Sequence, residues 1–312
     1  MRGSSGPDSA SKHAPVWQSC RSCLNSGVQL RALEHVASLS SGPPLDRGLP
    51  VTLNFHPDRY SGTALLLDRL ASDGVYLSQF VTGTSNGGLT AFPGGDRWHW
   101  EHRIFAGAYD HAPAQIRPVY GALDFRRRGT GGAPRFGSSY FRLIEPTLDR
   151  TTFCFPDSAD DPEHFGVSSR MALITLAEAS DRDLLDDYIE AQVHGGVRLD
   201  RDVAELVLDP SFADTEVESA ARRLPCPIGW HHGFACTLDD LLPHSDYRGK
   251  EIIELAARIA IDGRLTPRII GRAYRAGGHH PQQLKKVWHC LARFGAPNRQ
   301  ILPNAPGPVE GA

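Results

Sequence analysis

The chain has 312 residues, 40% hydrophobic and 22% charged, a globular balance that excludes wholesale disorder and fibrous repeats. A net charge of −3 argues against a protein that coats nucleic acid along its length. No apolar run approaches the roughly 18 residues that a membrane span needs.

Six cysteines over this length do not make a disulfide scaffold, and the N-terminus MRGSSGPDSASKHAP lacks the apolar centre of a secretory signal. Folding in a reducing compartment is therefore expected. Residues 1–15 are rich in Ser, Gly and Pro with little to bury, and are expected to be disordered. A short helix is expected over Val28–Ser38, followed by the breaker cluster SSGPPLDRGLP. From Val51 to about Asp209 the signals are mostly strand: VTLNF, GVYLSQFV, PVYGALDF, SSYFRLI, TTFCF and DDYIEAQVH, separated by clusters such as RGTGGAP. One helix is expected at Ser169–Ala179, with Ser168 or Ser169 as its cap. Beyond about Thr215 the pattern turns helical. GKEIIELAARIA puts Ile252, Leu255, Ala256 and Ile259 on one face, and LTPRIIGRAYRAG and PQQLKKVWHCLARFG read as two more helices. Residues 248–299 hold eleven Lys/Arg against three Asp/Glu, so a small basic helical unit follows an acidic, β-rich body.

Alternation in the strands separates two kinds of face. Val51, Leu53 and Phe55 share one side of the first strand, while Thr52, Asn54 and His56 share the other. In the strand around residue 190, Ile189, Ala191 and Val193 oppose Tyr188, Glu190, Gln192 and His194. A wet sheet face is the plain explanation. Lys and Arg usually populate such faces, however, whereas Asn, His, Glu and Gln are side chains that position ligands. SSYFRLI adds Ser138, Tyr140 and Arg142 on one side, and its lead-in RFG allows a close backbone approach.

NFHPDR, RFGSSYFRL and DYIEAQVHG, in this order, resemble the CteC-like bacterial ADP-ribosyltransferase effectors, a divergent branch of the diphtheria-toxin/PARP-type fold. The resemblance covers roughly Val51–Phe212. It implies an α+β protein with a split mixed β-sheet ADP-ribosyltransferase-like core and an added small helical C-terminal domain. It also implies NAD as substrate, with Glu190 as the carboxylate that holds the ribose and stabilises an oxocarbenium-like centre. Asp58 would be the general base for an acceptor hydroxyl. His56 would hold ribose, Arg59 the pyrophosphate, Tyr140 would stack on nicotinamide, and Ser138, Ser139 and Gln192 would complete the contacts. The implied acceptor is a threonine hydroxyl of host ubiquitin, whose modification would block ubiquitination after delivery by a contact-dependent secretion system. An NAD glycohydrolase would use the same Glu190 with water as acceptor.

The implied organisation is a disordered segment 1–15, a catalytic domain 16–214, a helical acceptor-recognition domain 215–300 and a flexible tail 301–312, as a monomer with no nucleic-acid or membrane partner. Other motifs weigh less. HPD follows a strand rather than the basic helix of a J-domain. Cys20 and Cys23 form one CxxC with no regularly spaced partners for zinc, so no metal is expected. His279-His280 reads as loop surface, Asn86-Gly87 as a turn, and Trp98, His99 and Trp100 as core. A rival from another class is a helix-turn-helix reader, with Arg268, Arg272, Arg275, Lys285 and Lys286 on phosphates.

Overall fold

A computed structural model describes residues 27–83 and 88–296. The expectations for residues 1–15 and 301–312, for Cys20 and Cys23, and for Asn86-Gly87 lie outside those residues. The fold is α+β. Eight strands form one mixed sheet: β1 (Val51–Phe55), β2 (Val119–Leu123), β3 (Ser139–Leu143), β4 (Thr151–Phe155), β5 (His164–Val167), β6 (Ile189–Val193), β7 (Val203–Leu208) and β8 (Ile228–Trp230). Their spatial order is β8-β7-β3-β1-β2-β6-β4-β5. Every neighbouring pair is antiparallel except β7 and β8, which run parallel.

The alternation expected for β1 and β6 holds. Val51, Leu53, Phe55, Ile189, Ala191 and Val193 all enter one hydrophobic core. Helices α2 (Leu66–Asp73), α4 (Leu173–Glu178) and α5 (Glu216–Ala221) cover that face through residues such as Leu67, Leu173 and Val217. The opposite face is covered by α1 (Gly27–Leu39) and α3 (Asp96–Ile104), whose Ala32, Val36, Trp100 and Ile104 form a second cluster with Tyr109. A separate core gathers Leu185, Phe234 and the helices α6 (Lys250–Ile259), α7 (Pro267–Ala276) and α8 (Pro281–Phe294). Residues 216–230 thus belong to the sheet body, and the helical unit starts later than Thr215.

The centre of the sheet is where it parts. β1 pairs with β2 only at Val51↔Leu123 and Thr52↔Ala122. The rest of β1 pairs with β3 alone, and Val119–Gly121 pair with β6 alone. Gly121 lies at the crossing, where a Cβ would come within 2.6 Å of the Thr52 carbonyl oxygen.

Two expected elements differ. GVYLSQFV is not one strand. Gly74 ends α2 in the left-handed region, with its N–H donating to the Leu70 carbonyl, so only Val75–Tyr76 extend before the helical turn Gln79–Thr82. The helix expected from Ser169 begins at Leu173. The amides of Met171 and Ala172 donate to the carbonyls of Pro43 and Ser41, which holds residues 168–172 in a bend. Neither serine caps it.

Candidate active site

The parted strands open a small cleft of about 70 Å³. Thr52 and Asn54 of β1 line one side, and Tyr120, Gly121 and Ala122 of β2 the other. Tyr76 and Phe136 supply aromatic walls, and Asp157 and Ser158 come from the turn after β4. Glu190 of β6 lies at its base, and Arg97 of α3 reaches in beside it.

Glu190 is 6% exposed. Its Oε2 accepts hydrogen bonds from the Ser158 hydroxyl at 2.8 Å and the Ser158 amide at 3.4 Å. Its Oε1 accepts from Gln192 Nε2 at 3.1 Å and lies 3.8 Å from the Arg97 guanidinium. Burial pushes the carboxyl pKa up, and the Arg97 charge opposes that shift. Arg97 also donates to the Ser158 hydroxyl at 2.6 Å, and its guanidinium stacks 4.0 Å from the centre of the Tyr120 ring. The Tyr120 hydroxyl donates to Glu101, which is ion-paired to Arg117. Burial raises Glu101 to about 7. Two buried acids thus alternate with two buried guanidiniums, each with a partner for its charge.

The other polar residues in and beside β6 also bond to neighbouring strands and turns. Gln192 Oε1 accepts from the Thr152 hydroxyl at 2.9 Å. His194 lies between that hydroxyl at 3.1 Å and the Tyr109 hydroxyl at 2.7 Å. Burial, and then the charge of Arg150, push its pKa down to about 3, so it is a neutral hydrogen-bonding residue. Tyr188 donates its hydroxyl to Asp157, whose other oxygen accepts from the Ala159 amide at 3.1 Å.

One wall of the cleft is a glycine-rich loop fastened to the sheet. Asn54 Nδ2 donates to the carbonyls of Thr130 at 2.9 Å and Gly137 at 3.3 Å, and the Gly132 amide donates to the Thr52 hydroxyl at 2.8 Å. The Tyr140 hydroxyl donates to the Gly129 carbonyl at 3.2 Å. Trp288 of α8 donates from Nε1 to the carbonyls of Pro134 at 3.2 Å and Arg135 at 3.1 Å. Phe136, which faces the cleft, is carried by this loop.

Of the residues singled out in the sequence, Thr52, Asn54 and Glu190 line this cleft and Gln192 supports it. The others are placed elsewhere. Tyr140 anchors the loop. Ser139 accepts from the Asp209 amide at 3.1 Å, and the Ser138 carbonyl accepts from His231 at 2.6 Å. The close approach expected at RFG is to the chain itself, because a Cβ on Gly137 would overlap the Phe55 carbonyl. His56 meets the edge of Trp288, and burial, then the Arg59 charge, hold it neutral. Arg59 stacks 3.4 Å from the centre of the Tyr274 ring. Asp58 lines a different cleft, against α5 and α7. Arg97, Tyr120, Asp157 and Ser158 were not foreseen. Trp98, His99 and Trp100 were read as core, which Trp100 is, but Arg97 beside them reaches Glu190.

The structure therefore defines an α+β protein with a buried acid in a cleft between the halves of a parted sheet. Residues 50–179 and 167–294 match the family model described as "Protein of unknown function (DUF3626)", and the chain belongs to the DUF3626 family. No curated protein matches it. Among the described residues, no helix is long and apolar enough to cross a membrane.

Proposed function

We propose that the protein is a mono-ADP-ribosyltransferase that uses NAD, with a threonine hydroxyl of ubiquitin as acceptor. The observation that carries this reading is Glu190, a hydrogen-bonded carboxylate at the base of a cleft with the aromatic rings of Tyr76, Tyr120 and Phe136 in its lining. An aromatic-walled cleft suits the planar nicotinamide, and a fixed carboxylate suits a ribose hydroxyl and the positive charge that grows on C1′. In this reaction the bond between the nicotinamide nitrogen and C1′ breaks, and its electron pair leaves with nicotinamide. The acceptor oxygen then bonds to C1′ and its proton passes to a base. Asp58, the base implied by the sequence resemblance, lines another cleft. Asp157 shares the cleft with Glu190 and is the base that takes the proton. The acceptor, and delivery to a host cytosol through a contact-dependent secretion system, rest on the resemblance alone.

Intact-mass spectrometry of ubiquitin incubated with the protein and NAD tests this. One added ADP-ribose with the wild type and none with Glu190→Gln is expected. Free nicotinamide beside unmodified ubiquitin would leave an NAD glycohydrolase or another acceptor. NAD left intact would end the proposal.

A further inference from the structure

The second cleft carries no role in that chemistry. Arg268, Arg272 and Arg275 stand along one face of α7, at the spacing that brings helix residues into line. Arg275 lies 3.8 Å from both Asp58 and Glu216. Arg268 and Arg272 are exposed and have no ion-pair or hydrogen-bond partner among the described residues. Asp58 is 3% exposed, and its Oδ2 has no hydrogen-bond partner although it lines the cleft. A buried carboxylate oxygen left without a donor is costly. Gly271 of α7 is what admits it, since a Cβ there would overlap the Asp58 carboxylate.

Two free guanidiniums call for anions, whereas the orphan oxygen of Asp58 calls for an N–H or O–H donor. Phe212 and Val217 add apolar lining. A DNA phosphodiester backbone offers anions but no N–H or O–H donor for Asp58, and nothing for the apolar wall. A peptide supplies all three: carboxylates for Arg268 and Arg272, a backbone or hydroxyl donor for Asp58, and a side chain for the apolar wall. We infer that this cleft is a docking site for an acidic segment of a partner protein. Asn54 lines the Glu190 cleft and Asp58 this one, so along the chain the two are at most about 14 Å apart. A protein held here is within reach of the other cleft, but the inference stands without the NAD reading.

Fluorescence anisotropy on the full chain, at low salt and without NAD, tests it with a labelled peptide of Asp, Glu, Ser and Gly. Saturable binding is expected. Arg272→Glu and Arg268→Glu should each weaken it by about tenfold or more, the scale of a lost charge-assisted pair. Arg258→Glu, on exposed α6 surface, should change it by less than about twofold. Asp58→Leu, which keeps the bulk and removes the acceptor, should weaken the peptide and leave inorganic phosphate indifferent. Equal losses in all three arginine variants would overturn the inference. So would displacement of the peptide by a DNA duplex or by phosphate at matched charge concentration. Because NAD is absent, failure here leaves the ubiquitin experiment untouched.

Discussion

Glu190 shows what a strand pattern can and cannot give. Its position was legible because Ile189, Ala191 and Val193 alternate with it, and all three are buried in the core. Arg97, its charge partner, gave no such signal, since it comes from a helix 93 residues earlier and meets Glu190 only through tertiary packing. His56, Asp58 and Arg59 mislead for a related reason. After Phe55 the chain turns, with the Arg59 amide donating to the His56 carbonyl at 3.3 Å, and leaves the sheet for the helical unit. The partner of Asp58, Arg275, lies 217 residues away in sequence. Nothing local announces it. At this scale the chemistry has a pH signature. In the proposed reaction Glu190 must be ionised to stabilise positive charge, and burial raises its pKa. NAD cleavage should therefore fail on acidification with a midpoint above the ordinary carboxylate range. Removing the Ser158 hydroxyl bond, which favours the ionised form, should move that midpoint higher. A rate–pH profile of the wild type beside Ser158→Ala checks both. A midpoint unchanged by Ser158→Ala would separate Glu190 from the reaction.

At the level of elements, strands with strict alternation were foreseen and those without were not. β1, β2, β3, β4 and β6 were all expected. β5 and β8, four and three residues long, are too short to show a period, and β7 reads VAELVL, where alternation breaks. The glycine-rich loop is the element on which the cleft most depends. Gly131 takes φ +84°, and a Cβ there would lie 2.7 Å from Asn54 Oδ1. Gly131→Ala combines a left-handed conformation with loss of that hydrogen-bonding arrangement, so a destabilisation of about 2 kcal/mol is expected. Chemical denaturation measures it. A change below about 0.5 kcal/mol, the range of neutral surface substitutions, would show that the loop is not held as described.

Across the whole molecule, the sheet body and the helical unit have separate cores, and Trp288 is one of the residues that join them, beside Arg275 on Asp58 and Arg293 on Asp183. It ties α8 to the wall of the Glu190 cleft through the carbonyls of Pro134 and Arg135. The composition shift made a second unit legible, but its boundary was not, because α5 and β8 look like its beginning and pack with the sheet. Trp288→Phe keeps most of the buried ring and removes both hydrogen bonds to the loop. The loop should then hold Phe136 less firmly, which for the proposed NAD chemistry raises KM several-fold while kcat falls less. Steady-state NAD cleavage measures the split. A loss confined to kcat would place Trp288 in another role.

The same bond has a consequence for how the chain comes to be. Arg135 is joined to a residue 153 positions further on. A ribosome adding about 5–20 residues per second needs roughly 8–30 s to cover that stretch. For that interval Glu190 can be synthesised and even paired into its strand while the cleft beside it still lacks one fastening. The wall around the acid gains this fastening only when α8 emerges, after every strand of the sheet has been made.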